Sequence, residues 1–478
     1  MNYRPLLLIS FIAATSLIIG CADDNDDRFA SDVTIKNFVY RGMNAFYLYK
    51  AEIPVLADDR FETVNELEEY HKQFDSPEEF FNSLKFDRDK FSIIYDDYIA
   101  LEQVLSGQSP SNGMEFVLVE YPDNDANVFG FVRYTQNNSS AAENGVERGM
   151  IFNRIDGIQL TRSNFRTLLN QSTYTLGLAT LEDDEIEDID QEIPLFKEPF
   201  QEDPIHISKV IEEDGRKVGY LFYSSFLRQF DEDLNDVFGD FKSQGITDLV
   251  LDLRYNGGGS VNTAIILGSL ISGNPTSDLF TREEWNPDIQ EFLEANNPDQ
   301  LLNFFKDRTD DGSALNELGL SEVYIITTPS TASASELVIN SLAPYINVIQ
   351  VGDNTAGKFQ ASITVYDSED FRRAGANPAH TYAMQPLVYR SVNSAGNTDY
   401  FDGLEPDIEL VEEIDNLGTL GDPNERLLRA CLDDIIDGSV ISSFPTRPRI
   451  LFNKVSSSND LKLLGNDMWN ENLSLPIE

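Results

Sequence analysis

A serine and a lysine at a suggestive spacing are the residues of this sequence that could do covalent chemistry. Ser333 lies among small residues, after a predicted strand and at the start of a predicted helix. Lys358 follows 25 residues later, after one helix and one strand that can bring the chain back beside the helix start. An amine in an apolar pocket loses its charge near neutral pH and can take the proton of a hydroxyl. The spacing therefore predicts a nucleophile with its base, although a helix N-cap is the alternative for Ser333 alone.

A glycine-rich stretch could supply the donors that such a nucleophile needs. Residues 252–260 read Asp-Leu-Arg-Tyr-Asn-Gly-Gly-Gly-Ser and follow an apolar strand. Attack on a carbonyl creates an oxyanion, which backbone N–H groups of a glycine-rich loop can stabilise. The alternative for these glycines is a tight turn between a strand and a helix.

A competing interpretation is a nucleotide site, because residues 352–358 satisfy the phosphate-loop spacing G-x-x-x-x-G-K after a strand. A phosphate loop needs Ser or Thr after its lysine and a helix that faces the phosphates. Phe359 follows here, and residues 360–366 alternate as a strand does. We therefore expect Lys358 at the entrance of a strand and no nucleotide partner.

The composition excludes several classes of function. The 478 residues hold 35 Lys and Arg against 82 Asp and Glu, a formal charge of −47, which disfavours nucleic acid as a partner. Three histidines argue against a histidine-based metal site, and no metal or cofactor is expected. Two cysteines cannot form a disulfide framework, and Cys431 is expected to be a buried apolar residue.

The N-terminus is typical of an exported protein. Arg4 precedes an apolar run over residues 6–20, too short to span a bilayer. The run ends Ile-Ile-Gly-Cys, which resembles the lipobox of bacterial lipoproteins and implies cleavage before Cys21 and its acylation. We expect a lipid anchor in the outer membrane, with the protein in the periplasm or on the cell surface. A plain signal peptide is the alternative.

Further along, the chain divides into segments of different character. The expected layout is a signal peptide (1–20), an acidic linker (21–29), a small helical domain (30–105), a β-rich domain (106–185), an α/β core (205–440) and an irregular polar tail (441–478). Residues 182–204 are acidic and predict a linker. In the core, strands are predicted at 206–211, 218–223, 249–253, 323–327 and 348–351, and helices at 229–244, 262–271 and 335–343, an alternation typical of a layered α/β fold.

In residues 106–185, a small-residue helix is followed by a glycine, a strand and then Asp156-Gly157. This order resembles that of a PDZ domain. In PDZ domains, an extended C-terminal peptide adds to a sheet edge and backbone amides bind its carboxylate. The matching loop holds Gly113, Met114, Glu115 and Phe116. Glu115 replaces a usual glycine, and an acid there is expected to weaken the binding of a carboxylate.

Taken together, the motifs resemble those of the carboxyl-terminal processing (tail-specific) serine peptidases. These are the glycine-rich stretch, Thr-Ala-Ser-Ala-Ser-Glu at residues 331–336, Gly-Lys at residues 357–358, and a late Asp-Gly-Leu-Glu-Pro-Asp at residues 402–407. The resemblance implies an α/β, layered core of the crotonase and Clp-protease type. It implies Ser333 as nucleophile and Lys358 as general base. It also implies an oxyanion hole made by the amide of Gly258 or Gly259 and that of Ala334.

One position departs from that family. Many relatives carry Gln four residues after the lysine, where Ser362 stands here, and we expect its hydroxyl to orient the amine instead. Glu336 is interpreted as a stabiliser of the first helical turn. His206 and His380 are expected to play no part in activating the serine.

The sequence therefore predicts a lipid-anchored serine endopeptidase that hydrolyses envelope or extracellular polypeptides, with cleavage near their C-termini as one option. The alternative is a weakly active or inactive lipoprotein that binds polypeptide tails or glycans.

Overall fold

The computed structural model describes residues 30–122, 124, 126–182, 185–438 and 452–471. The predicted signal peptide, Cys21 and the acidic linker lie outside these ranges. Among the residues that are described, no helix has both the length and the hydropathy needed to cross a bilayer.

Helices dominate the N-terminal part, as predicted. They are α1 (Asp32–Phe46), α2 (Val64–His71), α3 (Pro77–Ser83) and α4 (Tyr98–Leu105), with one short strand, β1 (Ile93–Tyr95). The buried residues of α1 recur every three or four positions and form one apolar face. That face packs into the same hydrophobic cluster as the core residues Leu337 and Met384. The predicted helical region therefore forms, and its apolar face is buried against the central core.

A β-rich domain comes next. Its elements are β2 (Gln108–Ser111), β3 (Met114–Glu120), β4 (Val128–Thr135), α5 (Ser140–Glu143), β5 (Ile151–Ile155), β6 (Ile158–Gln159), α6 (Phe165–Leu169), β7 (Thr173–Glu182), β8 (Glu185–Phe196) and β9 (Glu198–Gln201). Strand β8 pairs with β7, so the predicted linker at 182–204 is wrong. Acidic side chains of β8 are largely exposed, while Ile193 and Leu195 are buried, so the acidic character marks one face of a strand.

The α/β core follows the predicted alternation. Its elements are β10 (Ile205–Glu213), β11 (Arg216–Tyr223), α7 (Asp231–Gln244), β12 (Asp248–Asp252), β13 (Gly259–Ser260), α8 (Val261–Ser272), β14 (Leu279–Trp285), α9 (Pro287–Asn296), β15 (Leu302–Phe304), β16 (Glu322–Thr327), α10 (Ala334–Leu342), β17 (Asn347–Gly352), β18 (Gln360–Ser362), β19 (Val365–Tyr366), β20 (Ala383–Gln385), β21 (Leu387–Val392), β22 (Ile408–Glu409) and α11 (Arg426–Asp437).

The central sheet has the order β10-β11-β12-β16-β17-β22, with β10 antiparallel to β11 and the other neighbours parallel. Successive side chains of β12 point to opposite faces. Leu251 packs with α8 and α10 on one face, and Val250 packs with α11 on the other. The mixed α/β, layered fold is thus confirmed. Because the strands are parallel, the loops after β12, β16 and β17 meet at one edge, where the candidate residues lie.

The C-terminal residues 452–471 contain β23 (Lys454–Ser457), α12 (Ser458–Leu461) and β24 (Met468–Trp469). Strand β23 pairs antiparallel with β3 of the β-rich domain. Strand β24 lies between β13 and β18 in a second six-stranded sheet, β13-β24-β18-β21-β14-β15. The prediction of an irregular tail is therefore wrong for these residues, whose short strands form by pairing with distant partners.

Candidate active site

Ser333 lies between β16 and α10 and is fully buried, with φ of 66° and ψ of −113°. A non-glycine residue with a positive φ stores strain of about 1–3 kcal/mol, which the surroundings must offset. Here the neighbouring residues are held firmly. The amide of Ala332 donates to the Asn256 carbonyl at 3.0 Å, and the Ser335 hydroxyl donates to the same oxygen at 3.1 Å. The serine thus sits in a sharp turn fastened to the glycine-rich loop.

The glycine-rich loop approaches the serine closely. Gly258 has φ of 117°, and a Cβ there would lie 2.6 Å from Ser333 Cβ and 3.1 Å from the Ala334 nitrogen. Only glycine permits this backbone conformation and this approach. The loop therefore needs glycine at 258 in order to border the nucleophile and the Ala334 amide.

The hydrogen bonds of this loop distinguish the two candidate oxyanion donors. The Gly258 amide donates to Asn256 Oδ1 at 2.9 Å. The Gly258 carbonyl and the Ser260 amide both bond to Phe226, at 2.8 Å each. Since successive residues of a strand point to opposite sides, the Gly259 amide points away from Phe226, towards β24. The Gly258 amide is thus bonded within the loop, and the Gly259 amide faces the C-terminal segment.

A buried ion-pair network anchors the start of the loop. The Arg254 side chain is fully buried and contacts Asp252 at 2.8 Å, Glu425 at 2.9 Å and Glu412 at 3.0 Å. Although burial opposes it, Arg148 and Arg254 lower the pKa of Glu412 to about 2. An arginine with this many carboxylate partners fixes the end of β12, from which the loop departs.

Glu336 does more than stabilise a helical turn. Its Oε2 accepts from the Ser333 amide at 2.7 Å and from the Lys358 amide at 2.9 Å. Its Oε1 accepts from the Gly357 amide at 2.7 Å and from the Thr355 hydroxyl at 2.5 Å. Burial raises the pKa of Glu336 to about 7, against the effect of these four donors. The carboxylate joins the backbone of the serine to that of the lysine, a role that sequence reasoning missed.

Lys358 lies just before β18, at a strand entrance as predicted, and no helix follows it. Its side chain is fully buried, and its Nζ lies 4.3 Å from the centre of the Phe91 ring. Burial lowers the pKa of Lys358 well below its usual value, while Asp89 and Glu336 act in the opposite direction. An amine in these surroundings can exist in the neutral form that a general base requires.

The serine and the lysine are not hydrogen-bonded to each other. Within the described ranges, Ser333 Oγ has no hydrogen-bond partner. Lys358 Nζ instead donates to the Asn466 carbonyl at 3.3 Å and forms an ion pair with Asp467. Both partners belong to residues 452–471, so the C-terminal segment binds the amine that was expected to face the serine.

Ser362 does not orient the lysine. Its hydroxyl contacts Gln385 Oε1 at 2.7 Å and the Met468 carbonyl at 3.2 Å. The expectation that it replaces the family's glutamine is therefore wrong, because its side chain bonds to β20 and β24. Gln360 faces elsewhere, as expected, and donates to the Tyr49 hydroxyl.

The predicted peptide loop is occupied by the same C-terminal segment. Gly113 has φ of 76°, and β3 begins at Met114. The Phe116 amide donates to Ser458 Oγ at 3.1 Å, and Glu115 pairs with Lys462 at 2.7 Å. A cavity of about 480 Å³ runs from this loop to Gly258. The loop therefore binds a segment of the same chain. The groups of that segment that it contacts are the Ser458 hydroxyl and the Lys462 ammonium, and not a carboxylate.

The remaining candidates lie apart from this site. His206 packs against Tyr134 and Phe222, and His380 bonds to Asp367. Cys431 is buried beside α11's other apolar residues. In the part of the chain that is described, no group of three or more His, Cys, Asp or Glu residues is arranged to hold a metal ion.

Two of the residues that contact the lysine or serine were not predicted. The spacing Ser-x-x-Glu of a capping box pointed to the bond between Glu336 and the Ser333 backbone, but not to the bonds with residues 355–358. Asp467 lies in a polar region with no strand or helix signal, so nothing in the sequence marked it.

Comparison with known proteins identifies two matching family models and several similar structures. The sequence matches the family described as Peptidase family S41 over residues 217–410, and the Peptidase S41 N-terminal domain over residues 34–93. A crystal structure described as an S41 protease from Bacteroides fragilis NCTC 9343 has a TM-score of 0.65 and 27% sequence identity. That match covers 84% of this chain and 97% of the other.

A second solved structure, the photosystem II D1 C-terminal processing protease, is 15% identical with a TM-score of 0.49. The match covers 85% of this chain and 99% of that one. No curated protein sequence matches the chain significantly.

The two family matches define a hydrolase of the serine-peptidase class. The chain belongs to peptidase family S41, and the family resemblance seen in the sequence is confirmed.

Proposed function

We propose that the protein is a serine endopeptidase in which Ser333 is the nucleophile and Lys358 the general base. One observation carries this proposal: a single oxygen of Glu336 accepts hydrogen bonds from the backbone amides of both residues. Two chain segments 25 residues apart are thereby held at one point, with a strained serine on one and a buried amine on the other.

In the proposed reaction, neutral Lys358 takes the proton of Ser333 Oγ as that oxygen attacks the substrate carbonyl. The oxyanion that forms accepts from the amides of Gly259 and Ala334, which are held in place before the reaction. The lysine then gives its proton to the leaving amine, and the acyl-enzyme remains. Water, deprotonated by the same amine, attacks the acyl group, and the proton returns to Ser333 as the acid is released.

The proposed substrate is an extended polypeptide of the cell envelope or the exterior, cleaved near its C-terminus. One cavity is lined by both Phe116 and Gly258, so it connects the loop at β3 with the glycine-rich loop that borders Ser333. We also propose the lipid anchor at Cys21, on the strength of the Ile-Ile-Gly-Cys motif. Replacing Cys21 by alanine should then release the protein from the membrane fraction, and unchanged membrane association would contradict the anchor.

The enzyme is tested with two variants and a covalent probe. Ser333→Ala should abolish both peptide hydrolysis and labelling by a fluorophosphonate. Lys358→Met should lower hydrolysis by about 10²–10⁴-fold, the usual contribution of a general base. Circular dichroism shows whether each variant is folded. Full turnover in Lys358→Met would overturn the dyad. Failure of both the wild type and Asp467→Asn, which lacks the ion pair with Lys358, to cleave or to label would favour a binding protein instead.

A further inference from the structure

The segment 452–471 follows a path through the molecule that an extended substrate would also need. It begins on the edge of β3, beside the loop of Gly113 to Phe116. It then crosses the glycine-rich loop and ends between β13 and β18. Each of these three contacts blocks a different part of the proposed site.

The first contact uses the edge of the β-rich domain. Ser457 is paired with Val117 and Lys454 with Val119 in antiparallel register. Strand addition of this kind is a general way for a sheet edge to bind an extended peptide. Beyond the strand, Ser458 accepts from the Phe116 amide and Lys462 pairs with Glu115. Glu115, which is expected to weaken the binding of a carboxylate, thus forms an ion pair with Lys462 of the segment.

The second contact lies over the glycine-rich loop. A Cβ on Gly257 would collide with the Gly465 carbonyl, and a Cβ on Gly258 would lie 2.7 Å from the Asp467 carbonyl oxygen. The same point beside Gly258 lies 2.6 Å from Ser333 Cβ. The backbone of the segment therefore fills the space next to the nucleophile, and no second chain can lie there at the same time.

The third contact is the ion pair between Asp467 and Lys358. A carboxylate beside an amine favours its charged form, and an ammonium cannot take the serine proton. In agreement, Ser333 Oγ has no hydrogen-bond partner among the described residues. The segment thus both covers the serine and occupies its base.

We infer that residues 452–471 are an internal competitor for the substrate path and keep the enzyme latent until the segment leaves. This inference rests on the proposed function. When the segment leaves, the path can bind an extended polypeptide that adds a strand to β3. The residue of that polypeptide at the position of Asp467 must carry no negative charge. A negatively charged side chain at that place would hold Lys358 as the segment does.

A reversible lock tests this in the full chain. Val117→Cys and Ser457→Cys, made together with Cys21→Ser, place two thiols on paired residues of antiparallel strands, a separation that suits a disulfide. Cys431 is buried and does not interfere. Comparing one protein in its oxidised and reduced states cancels any cost of the substitutions to folding. The matched control is Glu212→Cys with Lys217→Cys, a paired position within the β10–β11 hairpin.

We expect peptide hydrolysis to fall at least tenfold on oxidation of the segment lock and to change less than twofold in the hairpin control. Equal rates in the oxidised and reduced lock would overturn the inference and make the segment a structural strand. Binding is measured separately in the lock that also carries Ser333→Ala, with a fluorescein-labelled synthetic peptide of residues 452–471. Its apparent Kd should be at least tenfold weaker in the oxidised state, even if the enzyme proposal fails, and an unchanged Kd would contradict the inference.

A second variant addresses the ion pair alone. Asp467→Asn keeps the size of the side chain and removes the negative charge that stabilises the ammonium form of Lys358. Basal hydrolysis should therefore rise at least tenfold. Asp460→Asn removes a carboxylate of the same segment that pairs with Lys454, and its effect should be several-fold smaller. An equal rise in both variants, or none in Asp467→Asn, would show that the ion pair does not restrain the lysine.

Discussion

The two sides of the proposed catalytic cleft are held in different ways. On the rigid side, Ser333 and the glycine-rich loop are fixed by backbone hydrogen bonds and fully buried side chains such as Arg254. The other side is the cover, residues 452–471, whose far end is fixed by the buried Met468 in β24. Its near end carries the ion pair of Lys454 with Asp460, whose side chains are 43% and 31% exposed, and exposed ion pairs contribute little to stability. We therefore expect the near end of the cover to be held less firmly than the rigid side.

The largest effect is expected on the rigid side, from Gly258→Ala. The new Cβ would press on Ser333 Cβ at 2.6 Å in a backbone conformation that alanine disfavours. Displacing the neighbouring oxyanion donor should lower kcat by about 10²–10³-fold, the cost of losing one such donor. Steady-state kinetics measures this. Gly215→Ala, at φ of 84° with open space around it, shares the backbone strain and should keep its activity.

Arg254→Met breaks the network that anchors the loop. Three carboxylates would lose their buried partner, and removing one member of a buried ion pair costs about 3–5 kcal/mol. Urea unfolding measures the free energy of unfolding. Arg216→Met removes an ion pair whose arginine is nearly half exposed, and the expected loss there is at most about 1 kcal/mol. Similar losses in the two variants would contradict the role of Arg254 as the anchor of the loop.

Glu336→Gln tests the link between serine and lysine. A glutamine has one acceptor oxygen for the four donors, so the two backbones should drift apart. Charged hydrogen bonds are worth about 1.5–3 kcal/mol, which predicts a fall in kcat of about 10–100-fold. KM should change little, whereas a general loss of structure would alter both constants. Glu322→Gln, at the half-buried start of β16, serves as the control.

The smallest effect is expected on the cover. Lys454→Ala removes the exposed ion pair with Asp460 and should change the free energy of unfolding by less than about 1 kcal/mol. A loss of several kcal/mol in urea unfolding would show that the segment is as firmly fixed as the loop it covers.

Much of the rigid side could be predicted from the sequence. Strands such as β12 and β16 are short runs of β-branched and apolar residues between helical stretches, so local pattern and tertiary structure agree. The positions of Ser333 and Lys358 at element ends followed from the same pattern. Their common partner Glu336 was assigned only a local role, because its bonds to residues 355–358 depend on tertiary folding.

The cover could not be predicted for a physical reason. Strands β23 and β24 have four and two residues, and they form through pairing with β3, β13 and β18, far away in the sequence. Polar segments of this length carry too little periodicity to distinguish a strand from a loop. Strand β8 was also missed. Its many exposed acidic residues are typical of a linker, and only two of its apolar residues, Ile193 and Leu195, are buried.

The central claim, that a neutral Lys358 activates Ser333, is tested most directly by the pH dependence of Ser333 acylation. An activated ester would be reacted with Asp467→Asn, which lacks the ion pair with Lys358, and with the double variant Asp467→Asn, Lys358→Met. Because burial lowers the pKa of Lys358, the ammonium should persist only at lower pH. The rate in Asp467→Asn should therefore rise with a midpoint well below the usual lysine value, and the double variant should lack this rise. A midpoint at the ordinary lysine value of about 10.4, or the same profile in both proteins, would contradict the account.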